Sequence, residues 1–381
     1  MELSDYRREL DGLDSELLRL FCRRMEIAGE IAAYKKEKDL PVLDRRRERE
    51  KLRSIEEQSP EELSDYSYQL FSLIMELSRS LQNRILDRVS ADKQAIEHAL
   101  KNTPQLFPEK AVVACQGVEG AYSGIACGKL FRKPDIFYFS SFDGVFSAVE
   151  QGLCRYGVIP VENSTAGSVN AVYDLMSRHN FRIVRSVRIK VDHNLLVRPG
   201  TKPEDIREIY SHSQAISQCA GYLQRQFPQA KIIPCENTAV ASKRVAESTE
   251  KGVAALSSRL CADLYGLEML QSSVQDSDGN FTRFICISRD LEIYPGADHS
   301  SLMMTVRDEP GSLYRVLSRF NALGINMHKL ESRTIPGRNF EFLFYFDLDV
   351  SVYSPKFTQL MGELFECCEQ YTYLGSYSEV I

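Results

Sequence analysis

The sequence predicts a multidomain chain: an all-helical first third, an α/β middle built as two lobes, and a small α+β module at the end. Three observations predict it. Apolar residues recur every three or four positions through roughly the first hundred residues. From Ala111 onward, short apolar runs alternate with helix-like segments, joined by loops rich in glycine, hydroxyl and amide side chains. After Pro295-Gly296 the pattern reads strand, helix, strand, strand, helix, strand. At 381 residues the chain exceeds one ordinary core, and its boundaries are expected at residues 1–100, 105–292 and 299–381.

Composition narrows the function classes. Hydrophobic content of 43% and charged content of 26% fit a soluble globular protein, and a net charge of −6 gives no footing for nucleic acid. No apolar run approaches the ~18–20 residues of a membrane span, and Met1 opens into polar sequence without a signal peptide. The ten cysteines lack CxxC pairs or Cys/His ligand spacing, so no metal site or disulfide framework is expected. Free thiols fit a reducing cytoplasm. Neither GxGxxG nor GxxxxGK[ST] occurs, which argues against a dinucleotide or P-loop enzyme.

In the first third, Ser4 reads as the cap of a helix running to about Lys38, with Pro41 as its stop. Leu10, Leu13, Leu17, Leu20, Ile27, Ala28 and Ile31 form its apolar stripe. At about 100° per residue, Arg24 and Lys35 fall inside that stripe and Arg7 at its edge. A second long helix is expected over residues 60–99, with Ser78 and Gln82 in its apolar arc. Between them, the charged segment 44–58 offers Leu52 and Ile55 as apolar contacts, with Glu48 one turn before Leu52. One such arginine reads as a snorkelling side chain. Two cations, a serine and a glutamine converging on one core imply a buried anion, since unpaired buried charge costs several kcal/mol. A pocket for a small polycarboxylate follows, with no nucleophile or metal required.

Residues 5–90 resemble the all-helical chorismate mutase family at Arg7, Arg24, Lys35, Asp44, Arg47, Glu48, Ser78 and Gln82. The resemblance implies an intertwined helical dimer, with Arg7 reaching into the partner's site. It implies that Arg7, Arg24 and Arg47 hold the two carboxylates of chorismate. Lys35 and Gln82 would donate to the ether oxygen as its bond breaks, and Glu48 would take the ring hydroxyl. Asp44 and Ser78 would complete the binding set.

In the middle, strands are expected at 111–115, 156–161, 183–191, 208–211, 231–234, 253–256 and 281–287, in mostly parallel sheets. The loops read GVEGAYS at 117–123, PVENSTAGS at 160–168 and SHSQAISQC at 211–219, followed by Glu236-Asn237-Thr238-Ala239. Each fits an ordinary strand-to-helix turn; together they suggest donors aimed at one anion. Residues 275–284 read QDSDGNFTRF: a turn at Gly279-Asn280, then a buried strand with Thr282 and Arg283 at its mouth. A hydroxyl beside a guanidinium can hold an anion and hand it a proton. The pair also reads as a β-propensity threonine and a surface arginine.

These loops, with the Thr-Arg-Phe signature, resemble prephenate dehydratase over residues 111–288. The resemblance implies Thr282 as the catalytic hydroxyl, an acid toward the departing ring hydroxyl of prephenate. Ser123, Asn163, Gln218 and Arg283 would be substrate-binding positions.

The last segment reads as strand 301–307, helix 311–323, a strand through Arg333, strand 340–350, helix 355–367 and strand 373–377. That is a ferredoxin-like order, for which dimerisation alone would be a sufficient role. It resembles the ACT regulatory family. Gly311, Ser312 and Leu313 open GSLY where the family commonly has GALV, and Glu331, Ser332 and Arg333 open ESRT where ESRP is usual. The resemblance implies a phenylalanine effector site, with Tyr314 adding bulk to it.

Together the resemblances imply a bifunctional, cytoplasmic enzyme of phenylalanine biosynthesis. It would convert chorismate to prephenate and prephenate to phenylpyruvate under feedback by L-phenylalanine, without a cofactor. Its implied state is a homodimer, with tetramers possible, and no nucleic acid or membrane partner. Arogenate as the second substrate and a non-catalytic amino-acid sensor are the alternatives. A helical scaffold in the first third would tolerate Lys35→Ala without loss of chemistry.

Overall fold

Helix α1 (Leu3–Glu37) begins the computed structural model, which describes residues 2–86, 91–306, 308–335, 342–368 and 370–381. Its cap differs from expectation. The Asp5 carboxylate, rather than Ser4, reaches back to the Glu2 backbone N–H at 3.0 Å and satisfies a first-turn donor. At the far end Asp39 turns at φ 50°, and the Leu40 N–H closes onto Lys35 O at 2.9 Å. Helix α2 (Arg45–Gln58) is opened by Asp44, whose carboxylate accepts from Arg47 N at 3.0 Å. The helix expected over 60–99 is read as α3 (Ser64–Leu86) and α4 (Ala91–Asn102); residues 87–90 lie outside the described ones. Ala28 and Ala32 are buried on α1, while Leu10, Leu13, Leu17 and Leu20 remain 51–60% exposed.

The middle of the chain runs β1 (Lys110–Gln116), α5 (Tyr122–Leu130), β2 (Lys133–Phe139), α6 (Phe142–Glu150), β3 (Tyr156–Asn163), β4 (Gly167–Ser168), α7 (Asn170–Met176) and β5 (Arg182–Lys190). It crosses to a second sheet with β6 (Asn194–Val197), β7 (Glu208–His212), α8 (Ser213–Gln218), α9 (Ala220–Gln226), β8 (Lys231–Cys235), α10 (Thr238–Glu247), β9 (Val253–Ser257), α11 (Arg259–Tyr265) and β10 (Glu268–Gln271). Strand β11 (Phe281–Ser288) returns to the first sheet. The last segment runs β12 (His299–Thr305), α12 (Ser312–Ala322), β13 (Asn326–Thr334), β14 (Phe342–Asp349), α13 (Pro355–Cys367), β15 (Gln370–Tyr377) and β16 (Glu379–Val380). The expected extensions to Arg307 and to residues 340–341 fall outside the described residues.

The sheets are mixed, which corrects the expectation of mostly parallel ones. One has the order β16-β5-β11-β3-β1-β2 with β4 on β3, and the other β10-β6-β9-β7-β8. Pairs β1/β2, β1/β3, β7/β8 and β7/β9 are parallel. Pairs β3/β11, β5/β11, β6/β9 and β6/β10 are antiparallel. The reason is topological. Strand β11 re-enters the first sheet from the second lobe and is inserted between β3 and β5 against their direction. Among the described residues, strands β2, β4, β6, β10 and β16 were not anticipated, being short or carrying Pro134, Asp135 and Glu268 within them. The third sheet has the order β13-β14-β12-β15.

Two compact units result. The first comprises Met1–Gln94, Glu309–Gly324 and Tyr353–Tyr371; the second comprises Ala95–Asp308, Ile325–Val352 and Thr372–Ile381. Within the first, Glu76 on α3 pairs with Arg319 on α12 at 3.1 Å, and Arg319 faces Glu363 on α13 at 3.9 Å. Within the second, the first and third sheets share an apolar core in which the Tyr173 and Tyr345 rings meet edge-on at 5.1 Å.

Candidate active sites

In the helical unit, α1 and α3 bring Arg24 and Ser78 into hydrogen-bond contact, and Arg24 Nη1 also reaches Ile74 O at 3.4 Å. Burial pulls the Arg24 guanidinium below its ordinary value. Lys35 is half-buried and donates to Val42 O at 2.5 Å. Burial lowers its ammonium too, and Asp44 and Glu48 act against that shift. Gln82 is buried one turn along α3 from Ser78, and its Oε1 has no hydrogen-bond partner among the described residues. An unmet buried amide group costs about 1–3 kcal/mol, so the arrangement suits a polar ligand there. Glu48 accepts from Arg79, a residue the sequence reading did not single out. Arg79 sits one residue after Ser78 and needed α2 and α3 packed together to be noticed. Arg7 and Arg47 are exposed. At 1.5 Å per residue, Arg7 lies about 25 Å along α1 from Arg24, too far to share one pocket within a chain.

In the second unit the site forms where the chain crosses between the two sheets. The crossings, residues 190–194 and 271–281, lie side by side: Val191 N donates to Asn280 O and Val274 N to His193 O, both at 2.8 Å. Ligands gather at such switch points in α/β folds. Register places Thr282 opposite Asn163 on β3. Asn163 Nδ2 donates to Thr282 Oγ1 at 3.0 Å and to Asn280 Oδ1 at 2.7 Å. Asn163 Oδ1 in turn accepts from Thr165 Oγ1 at 2.7 Å and Ala166 N at 2.9 Å, which fixes the amide's orientation. Gln218 Nε2 donates to Thr165 Oγ1 at 2.8 Å, and its Oε1 accepts from Asn280 Nδ2 at 2.9 Å. Thr282, Asn163 and Gln218 therefore belong to one network, joined by Thr165 and Asn280.

His193 is its buried end. Its Nε2 is 2.8 Å from Gln218 Oε1, an oxygen already accepting from Asn280, so the network assigns the proton to Nε2. Its Nδ1 is buried with no hydrogen-bond partner among the described residues. Burial lowers its basicity, against the Gln218 hydrogen bond and the Asp192 charge. Ser123 is buried in the first turn of α5; its neighbour Tyr122 donates to Asp192 O at 2.6 Å. A cleft of about 370 Å³ beside it is lined by Tyr122, Lys190, Asp192, Asn194, Ser258 and Arg259. A smaller one, about 190 Å³, is lined by Thr165, Gln218, Gln275, Asp276 and Asn280. Of the residues the sequence reading missed, Asn280 and Thr165 sat inside segments already singled out. His193 had no pattern to betray it.

Arg283 is a correction. Expected beside Thr282, its side chain turns to the opposite face of β11, because neighbouring strand residues alternate. There it pairs with buried Asp347 and lies 3.1 Å from Glu379 and 3.1 Å from Tyr377 Oη. Burial alone would raise the Asp347 carboxyl; Arg283 and the Ser301 and Tyr345 hydroxyls outweigh it and hold the group below its usual range.

The ACT-like motif residues fall in two places. Gly311, at φ 81°, precedes α12, and the buried Ser312 Oγ accepts from Arg315 Nη2 at 2.7 Å; Leu313 is half-buried. On β13, Glu331 accepts from Ser168 Oγ at 2.6 Å and Arg333 donates to Asp174 at 2.7 Å, while Ser332 is exposed.

The chorismate mutase type II family model matches residues 6–83 and the prephenate dehydratase family model residues 113–292. Such a chain joins a helical chorismate mutase domain to an α/β dehydratase domain. The chain is 32% identical to the bifunctional chorismate mutase/prephenate dehydratase of Escherichia coli (strain K12), over 97% of this chain and 95% of that protein. It belongs to the bifunctional chorismate mutase/prephenate dehydratase family. It is also 36% identical to arogenate dehydratase 5, chloroplastic, of Arabidopsis thaliana, over 70% of this chain and 67% of that one. The prephenate dehydratase from Arthrobacter aurescens, solved in complex with L-Phe, is similar in structure with a TM-score of 0.65 and 26% identity. That likeness covers 70% of this chain and 89% of the other. No described helix is long and apolar enough to cross a membrane.

Proposed function

We propose that this chain catalyses two consecutive reactions, chorismate to prephenate and prephenate to phenylpyruvate, and that L-phenylalanine regulates the second. The observation that carries the reading is the Asn163 Nδ2 donation to Thr282 Oγ1 at 3.0 Å. A donor on that oxygen stabilises negative charge developing there, so the threonine becomes a better acid while its own proton stays free. Thr282 gives that proton to the departing ring hydroxyl of prephenate. The carboxylate leaves as carbon dioxide, the ring becomes aromatic, and water is the second product. Thr282 regains its proton from solvent. Asn163, Gln218 and Ser123 orient the substrate, whereas Arg283 acts by holding β11.

At the helical site no proton moves. Arg24 and Arg47, with Arg7 from a second copy, bind the chorismate carboxylates. Lys35 and Gln82 support charge on the ether oxygen, and Glu48, oriented by Arg79, takes the ring hydroxyl. Asp44 holds the start of α2, and Ser78 aligns Arg24. The exposed leucines of α1 and the separation of Arg7 from Arg24 support a homodimer with shared sites, with tetramers as a further step. Residues 1–100, 105–292 and 299–381 form the mutase, dehydratase and regulatory domains. The strand order β13-β14-β12-β15 and the intact Glu331-Ser332-Arg333 support a ferredoxin-like ACT module. Free thiols support a cytoplasmic setting, and the chemistry requires no cofactor.

A second reading has arogenate in place of prephenate, which the likeness to the Arabidopsis protein favours. The test gives the purified full chain chorismate, and separately arogenate, with and without phenylalanine. Phenylpyruvate formed from chorismate and suppressed by phenylalanine is the expected result. Prephenate that accumulates while arogenate yields phenylalanine would move the second site to the other substrate. Chorismate left unconsumed would overturn the helical assignment.

A further inference from the structure

Away from both sites, three potential metal ligands meet on adjacent strands of the third sheet: His299 on β12, Asp349 on β14 and His328 on β13. Their ligating atoms all lie within 4.8 Å of one another. His299 Nδ1 is 3.7 Å from Asp349 Oδ1, and His328 Nε2 is 3.6 Å from Asp349 Oδ2. Neither separation is a hydrogen bond. The two imidazole rings stand edge to face at 5.4 Å. Two imidazoles, each with one lone-pair nitrogen when neutral, and one carboxylate make a donor set that a cation between them would satisfy.

The backbone builds this meeting. One step beyond the Ser300–Leu348 pair, His299 faces Asp349 across an antiparallel ladder, so both side chains share a face. Strand β13 pairs Met327 with Leu348 but Lys329 with Asp347, which leaves His328 as the extra residue of a β-bulge. In regular pairing the residue after Met327 would oppose Asp347 directly. The bulge adds His328 to the Asp347–Asp349 side of the sheet and re-aims its ring. Behind His299, the Asp298 carboxylate lies 3.7 Å from Nε2, longer than a hydrogen bond but on the outer side from which a carboxylate orients a metal-bound histidine.

We propose that His299, His328 and Asp349 bind one divalent first-row transition ion, with Zn²⁺ as the probe ion. Zn–N and Zn–O bonds near 2.0–2.1 Å in tetrahedral geometry put ligand atoms about 3.4 Å apart. The two observed histidine–aspartate separations need to close by only a few tenths of an ångström, through side-chain rotation. Two imidazoles with one carboxylate suit such ions and not Mg²⁺ or Ca²⁺, which prefer all-oxygen shells. Asp349 and His328 are exposed, so a fourth position is open to water. The ion would clamp β12, β13 and β14 together at one end of the sheet.

The test uses the full chain, stripped by a chelator and kept reduced, titrated with Zn²⁺ by calorimetry and with Co²⁺ by visible absorption. Expected are one site and visible Co²⁺ bands without the thiolate charge-transfer band that cysteine binding would give. His328→Ala and Asp349→Asn should each remove that site, with circular dichroism reporting that the fold is kept. Asp298→Asn should weaken it by about 10- to 100-fold. A wild-type chain that gives no thiolate-free Co²⁺ spectrum overturns the proposal, and so does an unchanged spectrum in both His328→Ala and Asp349→Asn.

Discussion

Ser168 Oγ donates to Glu331 Oε2 at 2.6 Å, joining the ESRT stretch of β13 to the loop that carries Asn163. Lys329 Nζ strengthens the joint, reaching Ser168 Oγ at 2.7 Å and Glu162 Oε1 at 2.9 Å. Glu162 is the neighbour of Asn163, whose amide reaches Thr282. A change at β13 thus has a short polar route to the threonine. Glu331→Ala should raise the phenylalanine concentration for half-inhibition about tenfold, a coupling of ~1.4 kcal/mol, while uninhibited dehydration stays near wild type. Inhibition curves on prephenate decide it, and unchanged sensitivity would exclude this route.

Thr282→Ala should lower dehydration by about 10²- to 10⁴-fold and leave chorismate consumption unchanged. Asn163→Leu, which removes the donor to Oγ1, should fall in the same direction by less. Equal loss of both activities in either variant would mean the two sites are not separate.

Lys35→Ala should do the reverse, lowering the mutase rate by about 10²- to 10³-fold with prephenate turnover intact. Gln82→Leu keeps the volume and removes the amide. It should also slow the mutase, because its donor is lost. Full mutase activity in Lys35→Ala would return the first third to a scaffold role.

His193 makes stability depend on pH. Its folded pKa is lowered by burial, so below its unfolded value near 6.5 the unfolded chain binds a proton that the folded chain refuses. Stability is therefore present above about pH 6.5 and lost as pH falls toward the folded value. Urea midpoints from pH 7.5 to 5.5 should decline, and the decline should flatten in His193→Gln. Equal slopes in the two proteins would remove His193 as the cause.

Asp347→Ala leaves Arg283 buried with Glu379 and the Tyr377 hydroxyl to face it, and should destabilise the second unit by about 3 kcal/mol. The sign for pH is the carboxylate one: Asp347, held below its usual range, contributes stability that is lost as pH falls through its folded pKa. A denaturation midpoint unchanged in Asp347→Ala would show that the pair contributes nothing net.

Much of this protein is local in origin and could be read along the chain. The three- and four-residue periodicity of α1 and α3 placed Arg24, Lys35, Ser78 and Gln82 on inward faces, because helical phase is a property of a few turns. The loops at 160–168 and 275–284 stood out by their own composition, and Thr282 with them, whereas Asn163 was named through the family resemblance. What tertiary structure decided was which partners arrive from elsewhere. Strand β11 is antiparallel because it returns from the second lobe, and alternation along it sends Thr282 to the site and Arg283 to Asp347, 64 positions away. Arg79 meets Glu48 only when α2 and α3 pack, and His193 meets Gln218 only where two crossings run side by side. His299, His328 and Asp349 share no spacing that marks a metal site; a bulge and two strand registers bring them together. Periodicity is set by bond geometry over a few residues, whereas pairing across the chain is set by the burial of whole faces, which no local window contains.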